Sequence, residues 1–236
     1  YNQAVIGGGN GDYHTIVLSP SSVEECALMT YQAFYLSQKY RNPVILLVDG
    51  FLGQMAEAVE IKENPYPEID NSSWCLQGAD NRPSRKIHSL EPNQDKLNQH
   101  IINLNKKYHT IEQAEADYES YYCDDADIII TAFGSMARIT KAICNHYKKR
   151  GIKIGLLRPK TLWPFPYQKL RELSKKTKIF IDIEMNSGQM LKDVKLSIRD
   201  DASISFIGKP VGDFLKFEEI TYAIDNIIKE SNLASL

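Results

Sequence analysis

The sequence predicts an α/β protein in which a short strand–helix–strand unit precedes a doubly wound parallel sheet. From Asp127 onward, continuous apolar runs alternate with stripes of helical period, the pattern of repeated βα units and hence of parallel strands. A single strand–helix–strand pattern occupies Thr15 to Val48. Between the two, Glu57 to Pro92 carries Pro65, Pro67, Pro83 and Pro92 with no periodicity, which reads as a connector.

Thr15 to Leu18 is a buried strand. Ser22-x-x-Glu25 then forms a capping box, and the stripe Val23, Ala27, Met29, Ala33, Phe34, Leu36 continues as a helix until Arg41-Asn42-Pro43 stops it. Val44 to Val48 is the second strand, parallel to the first, ending in Asp49-Gly50. Two strands and one helix are too little to fold alone, so this unit is expected to lack partners for its outer edge. After the connector, Leu97, Ile101, Leu104, Tyr108, Ile111, Glu115, Tyr118 and Tyr122 alternate spacings of four and three, predicting one long packing helix with His109 on its exposed side.

The repeating part starts with the strand Ile128 to Ile130. The helix marked by Met136, Ile139, Ile143 and Tyr147 ends in Lys148-Lys149-Arg150-Gly151, a basic finish suited to the helix dipole. Strands at Ile154 to Leu157, Ile179 to Ile183 and Ile204 to Ile207 follow, with helices at Tyr167 to Lys175, after Gly188 and at Glu218 to Lys229. Residues 124–236 are expected to fold as a self-sufficient sheet.

The balance of charge excludes several functions. A net charge of -2, with basic residues only in short scattered clusters, leaves no footprint for nucleic acid. No apolar run reaches the ~18 residues of a membrane span. Cys26, Cys75, Cys123 and Cys144 form no C-x-x-C pair and the five histidines never fall at ligand spacings, so neither a metal site nor an iron–sulfur site is expected, and the thiols suit a reducing, cytoplasmic setting. The opening glycines are no dinucleotide fingerprint. A helix must follow the glycines directly, whereas here a strand follows, and the register Gly7-x-Gly9-x-x-Asp12 lacks its third glycine.

In a doubly wound sheet, ligands gather at the carboxyl ends of strands, which nominates Gly134-Ser135, Arg158, Asp182, Glu184 with Asn186, and Lys209. Each also has a plain structural reading. Ser135 reads as a helix cap, and Asp182 with Glu184, on one face of one strand, reads as a polar edge. No catalytic constellation is visible among them.

Four strings carry more than these patterns: "YNQAVIGGGNGDYHTIVLSPSSVEE", "KYRNPVILLVDGFLGQMAE", "LRPKTLWPFP" and "IDIEMNSGQM". Together they resemble the 2-oxoacid:ferredoxin oxidoreductases, in the subunit that carries the thiamine-pyrimidine domain, and most of all the branched-chain (2-oxoisovalerate) type. The resemblance implies a partial thiamine-pyrimidine-domain unit followed by a transketolase C-terminal-like doubly wound parallel sheet. It divides the chain into 1–56, the back part of a pyrimidine-binding domain; 57–123, connector and long helix; and 124–236, the transketolase C-terminal-like domain, which chiefly packs subunits together.

The implied reaction is oxidative decarboxylation of a 2-oxoacid to acyl-CoA with reduction of ferredoxin. Thiamine diphosphate and magnesium would serve the whole complex, held mainly by other chains or by a half-domain upstream of Tyr1 with its activating glutamate, and iron–sulfur clusters would lie in partner subunits. No diphosphate-binding GDG…N motif occurs here. The chain alone is therefore expected to be inactive, with no catalytic residue and no metal of its own, and to work in an oligomer with other oxidoreductase subunits, ferredoxin and coenzyme A reached through the complex. By the same resemblance Gly9, Asn10, Gly11 and Asp12 form a loop on the active-site side. The residues that select the 2-oxoacid fall outside the sequence. A non-catalytic assembly module that holds partner chains is the alternative reading.

Overall fold

Three polar residues around Ser22 set the direction of the first unit. Ser22, in extended backbone, accepts the Glu25 N–H at 3.2 Å and opens a helix over Val23–Tyr40, satisfying one orphan donor of its first turn. The capping box is only half formed, because the Glu25 carboxylate reaches the N–H of Ser21 at 2.8 Å instead. The computed structural model describes residues 1–210 and 214–231. In order they form α1 (Asn2–Val5), β1 (Ile16–Leu18), α2 (Val23–Tyr40), β2 (Val44–Leu46), α3 (Gly50–Gln54), α4 (Gln94–Glu115), β3 (Tyr118–Tyr121), β4 (Ile128–Thr131), α5 (Gly134–Lys149), β5 (Ile154–Pro159), β6 (Thr161–Trp163), α6 (Tyr167–Leu173), β7 (Ile179–Glu184), α7 (Leu191–Ser197), β8 (Ser203–Gly208) and α8 (Phe217–Glu230).

The strands make two sheets, ordered β2-β1-β6 and β3-β5-β4-β7-β8. In the second, β5, β4, β7 and β8 run parallel, as the alternation predicts. Its inner face packs Ile129, Leu157 and Phe180 with α6, α7 and the first unit. Its outer face packs Ile128, Ile130, Ile181 and Ile183 against α5 and α8. With Ile128, Ile129 and Ile130 at 0% exposure, each contributes roughly 1.5–3 kcal/mol by leaving water.

Three expectations need correction. The long helix stops at Glu115, and Tyr118 to Tyr121 pairs antiparallel with β5. The carbonyl of Asp117 accepts the N–H groups of Lys160 and Thr161 at 2.9 and 3.1 Å, so tertiary pairing wins over helical spacing at these tyrosines. The first unit does have an edge partner: β6, which follows directly on β5 of the second sheet, pairs antiparallel with β1, Val17 opposite Trp163. The second sheet also reaches outside the bounds expected for it, since β3 precedes residue 124, while β6 inside them belongs to the first sheet. His109 is exposed on α4, as its position predicts.

Candidate functional site at the carboxyl edge

Neighbours β5 and β7 flank β4, and the chain passes first to one side and then to the other. The switch point beside β4 is where such sheets bind ligands. The sequence candidates do collect there, but the structure engages them inside the chain: Ser135 and Arg158 with the first unit, and Asp182, Glu184, Asn186 and Lys209 within the second.

Arg158, on β5, is completely buried. Its guanidinium donates to Glu25 Oε1 and Oε2 at 2.9 and 2.5 Å, to Glu119 Oε2 at 3.1 Å and to the Ser19 carbonyl at 3.1 Å. The planar fork suits this bidentate grip. Burial alone would push the Glu25 carboxyl up, but the hydrogen bonds and charge of Arg158, with those from Ser21, outweigh it and hold the group below its ordinary value. Glu119 is offset as well by Lys141 at 2.7 Å. This is a joint between sheets: both terminal nitrogens are spent inside the chain, and the Nε–H, which has no partner, is itself buried.

Ser135 is not the helix cap. Phe133 holds that position without a side-chain bond, and the Ser135 N–H is taken by Asp49 Oδ2 at 2.7 Å. Gly134 has φ +58°, and a Cβ there would stand 2.6 Å from that same carboxylate oxygen, so glycine is required by both conformation and space.

Asp182 and Glu184 share a face of β7 but line no polar edge, being 0% and 1% exposed. Asp182 Oδ1 accepts from Thr131 Oγ1 at 2.6 Å. Glu184 accepts the N–H groups of Met190 and Leu191 at 2.9 and 3.0 Å and the Asn186 amide at 2.9 Å, while Asn186 Oδ1 accepts from Gly188 and Gln189 at 2.9 Å each. Burial, then the charge of and the hydrogen bond with Glu184, raise the Asp182 carboxyl well above its ordinary value despite Thr131. Lys209 pairs with Glu219 at 3.0 Å on α8.

The glycine loop leaves α1 at this edge. Tyr1 packs its ring on Phe133 at 5.7 Å, and the Asn2 N–H donates to Gln189 Oε1 at 2.9 Å. Gly9, Asn10, Gly11 and Asp12 are all exposed. The N–H groups of Gly8 and Gly9 converge on the Tyr13 hydroxyl at 3.0 and 2.9 Å, and Gly7, at φ +90°, makes room for that ring. β1 follows the loop and no helix does, in keeping with the rejected fingerprint.

Sequence reasoning missed Tyr13, Asp49 and a cleft of about 640 Å³ whose walls include His14, Glu112, Tyr118, Trp163, Phe165 and Tyr167. Asp49 before Gly50 was a readable N-cap signal; the cleft, drawn from four distant segments, had none.

A diphosphate with its magnesium does not fit the residues present. Among the described residues no group of three or more His, Cys, Asp or Glu side chains could hold a metal ion, and the two convergent loop amides are already satisfied by Tyr13. Among the described residues no helix is long and apolar enough to cross a membrane.

Residues 3–126 match the family described as pyruvate flavodoxin/ferredoxin oxidoreductase, thiamine diphosphate-binding, and residues 126–220 match pyruvate:ferredoxin oxidoreductase core domain II. Ketoisovalerate oxidoreductase subunit VorB of Methanothermobacter marburgensis is 39% identical over 234 residues, 98% of this chain and 66% of that protein. The 2-oxoglutarate synthase subunit KorA of the same organism is 26% identical over 239 residues, 90% of this chain and 64% of that one. The chain thus spans about two thirds of the length of these curated relatives. A solved 2-oxoglutarate:ferredoxin oxidoreductase from Magnetococcus marinus shares the fold with a TM-score of 0.72 at 21% identity, covering 95% of this chain and 44% of that one. Matched from residue 3 to residue 220 by two consecutive domains of one enzyme type, and by VorB along almost its whole length, the chain belongs to the 2-oxoacid:ferredoxin oxidoreductase family.

Proposed function

We propose that this chain is part of the subunit carrying the pyrimidine-side domain of a branched-chain 2-oxoacid:ferredoxin oxidoreductase. The complex would oxidatively decarboxylate a substrate such as 2-oxoisovalerate to its acyl-CoA while reducing ferredoxin. The observation that carries this reading is the 39% identity to a ketoisovalerate oxidoreductase subunit over 98% of the chain. Thiamine diphosphate supplies the carbanion-stabilising chemistry when bound. Its magnesium–diphosphate end belongs to another chain or to sequence beyond this one, and the iron–sulfur clusters belong to partner subunits.

Within that complex, residues 1–56 complete the pyrimidine-side domain, 57–123 connect, and 124–236 pack subunits, all in the cytoplasm. The exposed run Gly9, Asn10, Gly11, Asp12 faces the cofactor region, where small residues allow close backbone approach. A second reading, an assembly module without a catalytic part, is favoured by one observation: Arg158, Ser135, Asp182 and Glu184 are all engaged inside the chain.

Reconstitution separates the two. The chain is mixed with the remaining subunits, thiamine diphosphate, magnesium, coenzyme A and a viologen dye, and a panel of 2-oxoacids is offered. Branched-chain 2-oxoacids should reduce the dye fastest, and the chain alone should not reduce it. Equal rates with and without this chain would favour the assembly module, and a preference for 2-oxoglutarate or pyruvate would sink the substrate assignment.

A further inference from the structure

Two carboxyl groups meet in the interior at the carboxyl edge with nothing basic between them. Asp182 Oδ1 has Thr131, whereas Asp182 Oδ2 is buried and has no donor. Glu184, two residues on along the same face of β7 and equally buried, already accepts three N–H groups from the 186–191 turn. Two acceptors cannot bond without a hydrogen between them. We infer that Asp182 is a positioning residue for the glycine loop, holding one proton that it donates from Oδ2 to Glu184, and that this carboxyl–carboxylate pair latches the 186–191 turn and α1 to the second sheet.

The path from the pair to the loop is continuous. Glu184 fixes Met190, Leu191 and Asn186; Asn186 fixes Gly188 and Gln189; Gln189 receives the Asn2 N–H at the start of α1; and the Asn2 carbonyl accepts the N–H of Gly7, where the loop begins, at 3.2 Å. Ionising Asp182 would place two like charges side by side in a buried site, and the relief available is for Glu184 to withdraw from the turn. The loop's position would then depend on one proton.

The groups facing the pair include few that could mask it. Thr131 comes from β4; Phe206 and Gly208, the β8 neighbours of Asp182 and Glu184, do not titrate. On the α1 side lies Tyr1, whose phenol is raised by burial, Asp193, Tyr167 and Glu184. Asp193 is bonded to the hydroxyls of Tyr1 and Tyr167.

The sign follows from where the proton sits. A folded-state pKa above the unfolded one means the native chain holds a proton that the unfolded chain releases, so stability present below about pH 4 is lost as pH rises toward the folded value. Asp182→Asn keeps a donor for Glu184 and an acceptor for Thr131 and has nothing to ionise. Above about pH 4 the unfolding constant of the wild-type chain should rise with pH more steeply than that of Asp182→Asn, by up to about tenfold per pH unit, until the folded value is reached. Backbone protection factors for Asn2 to Gly9 and Gly188 to Leu191 should fall with pH in the wild type and stay level in the variant. Glu184→Gln should lower protection of Met190 and Leu191 at every pH.

Carboxyl carbon NMR of the wild-type chain gives an answer that needs no variant to fold: the Asp182 resonance should remain that of a protonated acid at neutral pH. An ionised Asp182 at pH 7, or parallel pH dependence in wild type and Asp182→Asn, overturns the latch. Its bearing on catalysis rests on the cofactor-facing reading of the loop. These measurements do not, so the latch and that reading fail separately.

Discussion

Asp49 and Ser135 stand 86 residues apart in the chain, and one carboxylate of the first starts the helix of the second. Asp49 Oδ1 accepts Phe51 and Leu52 N–H at 3.1 and 3.0 Å to open α3, while Oδ2 takes the Ser135 N–H at 2.7 Å in the first turn of α5. The negative group lies at two helix N-termini at once, where both dipoles favour it. The two units are fastened through the Ser135 N–H, a helix-start donor of the second unit that a carboxylate of the first satisfies.

Asp49→Ala should remove both caps. At about 1 kcal/mol per lost cap, urea denaturation should show a loss of roughly 2 kcal/mol, and Asp49→Asn should lose less. Gly134→Ala should also destabilise, because the side chain meets Asp49 in a left-handed backbone conformation. A neutral result for Asp49→Ala would mean that water replaces the cap on α5.

Arg158→Met leaves Glu25 and Glu119 facing each other without their cation. Breaking a buried pair from one side costs about 3–5 kcal/mol, so the variant should unfold at markedly lower urea. Arg158→Lys should fall between, since an ammonium cannot reproduce the two-pronged contact with Glu25. If Arg158→Met matched the wild type, packing would be holding the joint and charge would not.

Acid should loosen the same joint. The folded-state value of Glu25 is depressed from 4.5, so its contribution is fully present above that unfolded value and is lost as pH falls through the folded one. Unfolding followed from pH 6 to pH 3 should show a drop below about pH 4.5 that is smaller in Glu25→Gln. Equal drops would place the acid-sensitive group elsewhere.

Thiol reagents should sort the cysteines by burial. Cys123 and Cys144 are buried, and desolvation, followed by the charge of Cys123, pushes the Cys144 thiol up to about 12. Cys26 and Cys75 are partly exposed, and Cys26 is pushed up by burial and then by Glu25 and Asp49. At pH 8 Cys75 should react first, Cys26 more slowly, and the other two only on unfolding. Fast labelling of Cys144 in the native chain would show that α5 opens locally.

Cutting the chain at Asp124 should fail to give an independently stable sheet. That cut removes β3, strips Arg158 of Glu25 and Glu119, and leaves β6 without β1. Residues 124–236 expressed alone should melt without a cooperative transition by circular dichroism. A sharp melt would show that the inner core holds without the first unit.

Elements with unbroken apolar runs or clean helical stripes were legible in the sequence: β1, α2, β4, α5, β7 and α8 fall within a residue or two of where periodicity places them. What periodicity cannot see is pairing at a distance. Tyr118 and Tyr122 continue the spacing of α4, yet Asp117 turns the chain to meet Lys160 and Thr161, and no local signal separates the two outcomes. The candidates at the carboxyl edge were legible as positions, because topology puts them there. Their partners were not: Glu25, 133 residues from Arg158, and Asp49, 86 from Ser135, become visible only once the first unit docks.

The pairing of β6 with β1, far back in the chain, has a consequence for how the protein is made. On a ribosome, β1 emerges roughly 140 residues before the strand that must lie beside it, which at the usual pace of synthesis is on the order of ten to thirty seconds. For that interval Ile16 to Leu18, destined for 0% exposure, can pair on one side only and presents an apolar edge to everything else in translation. The nascent chain therefore passes through a sticky stage set by its topology, in which a holding chaperone and slower crowding by neighbouring ribosomes would raise the yield of folded subunit without changing the native state.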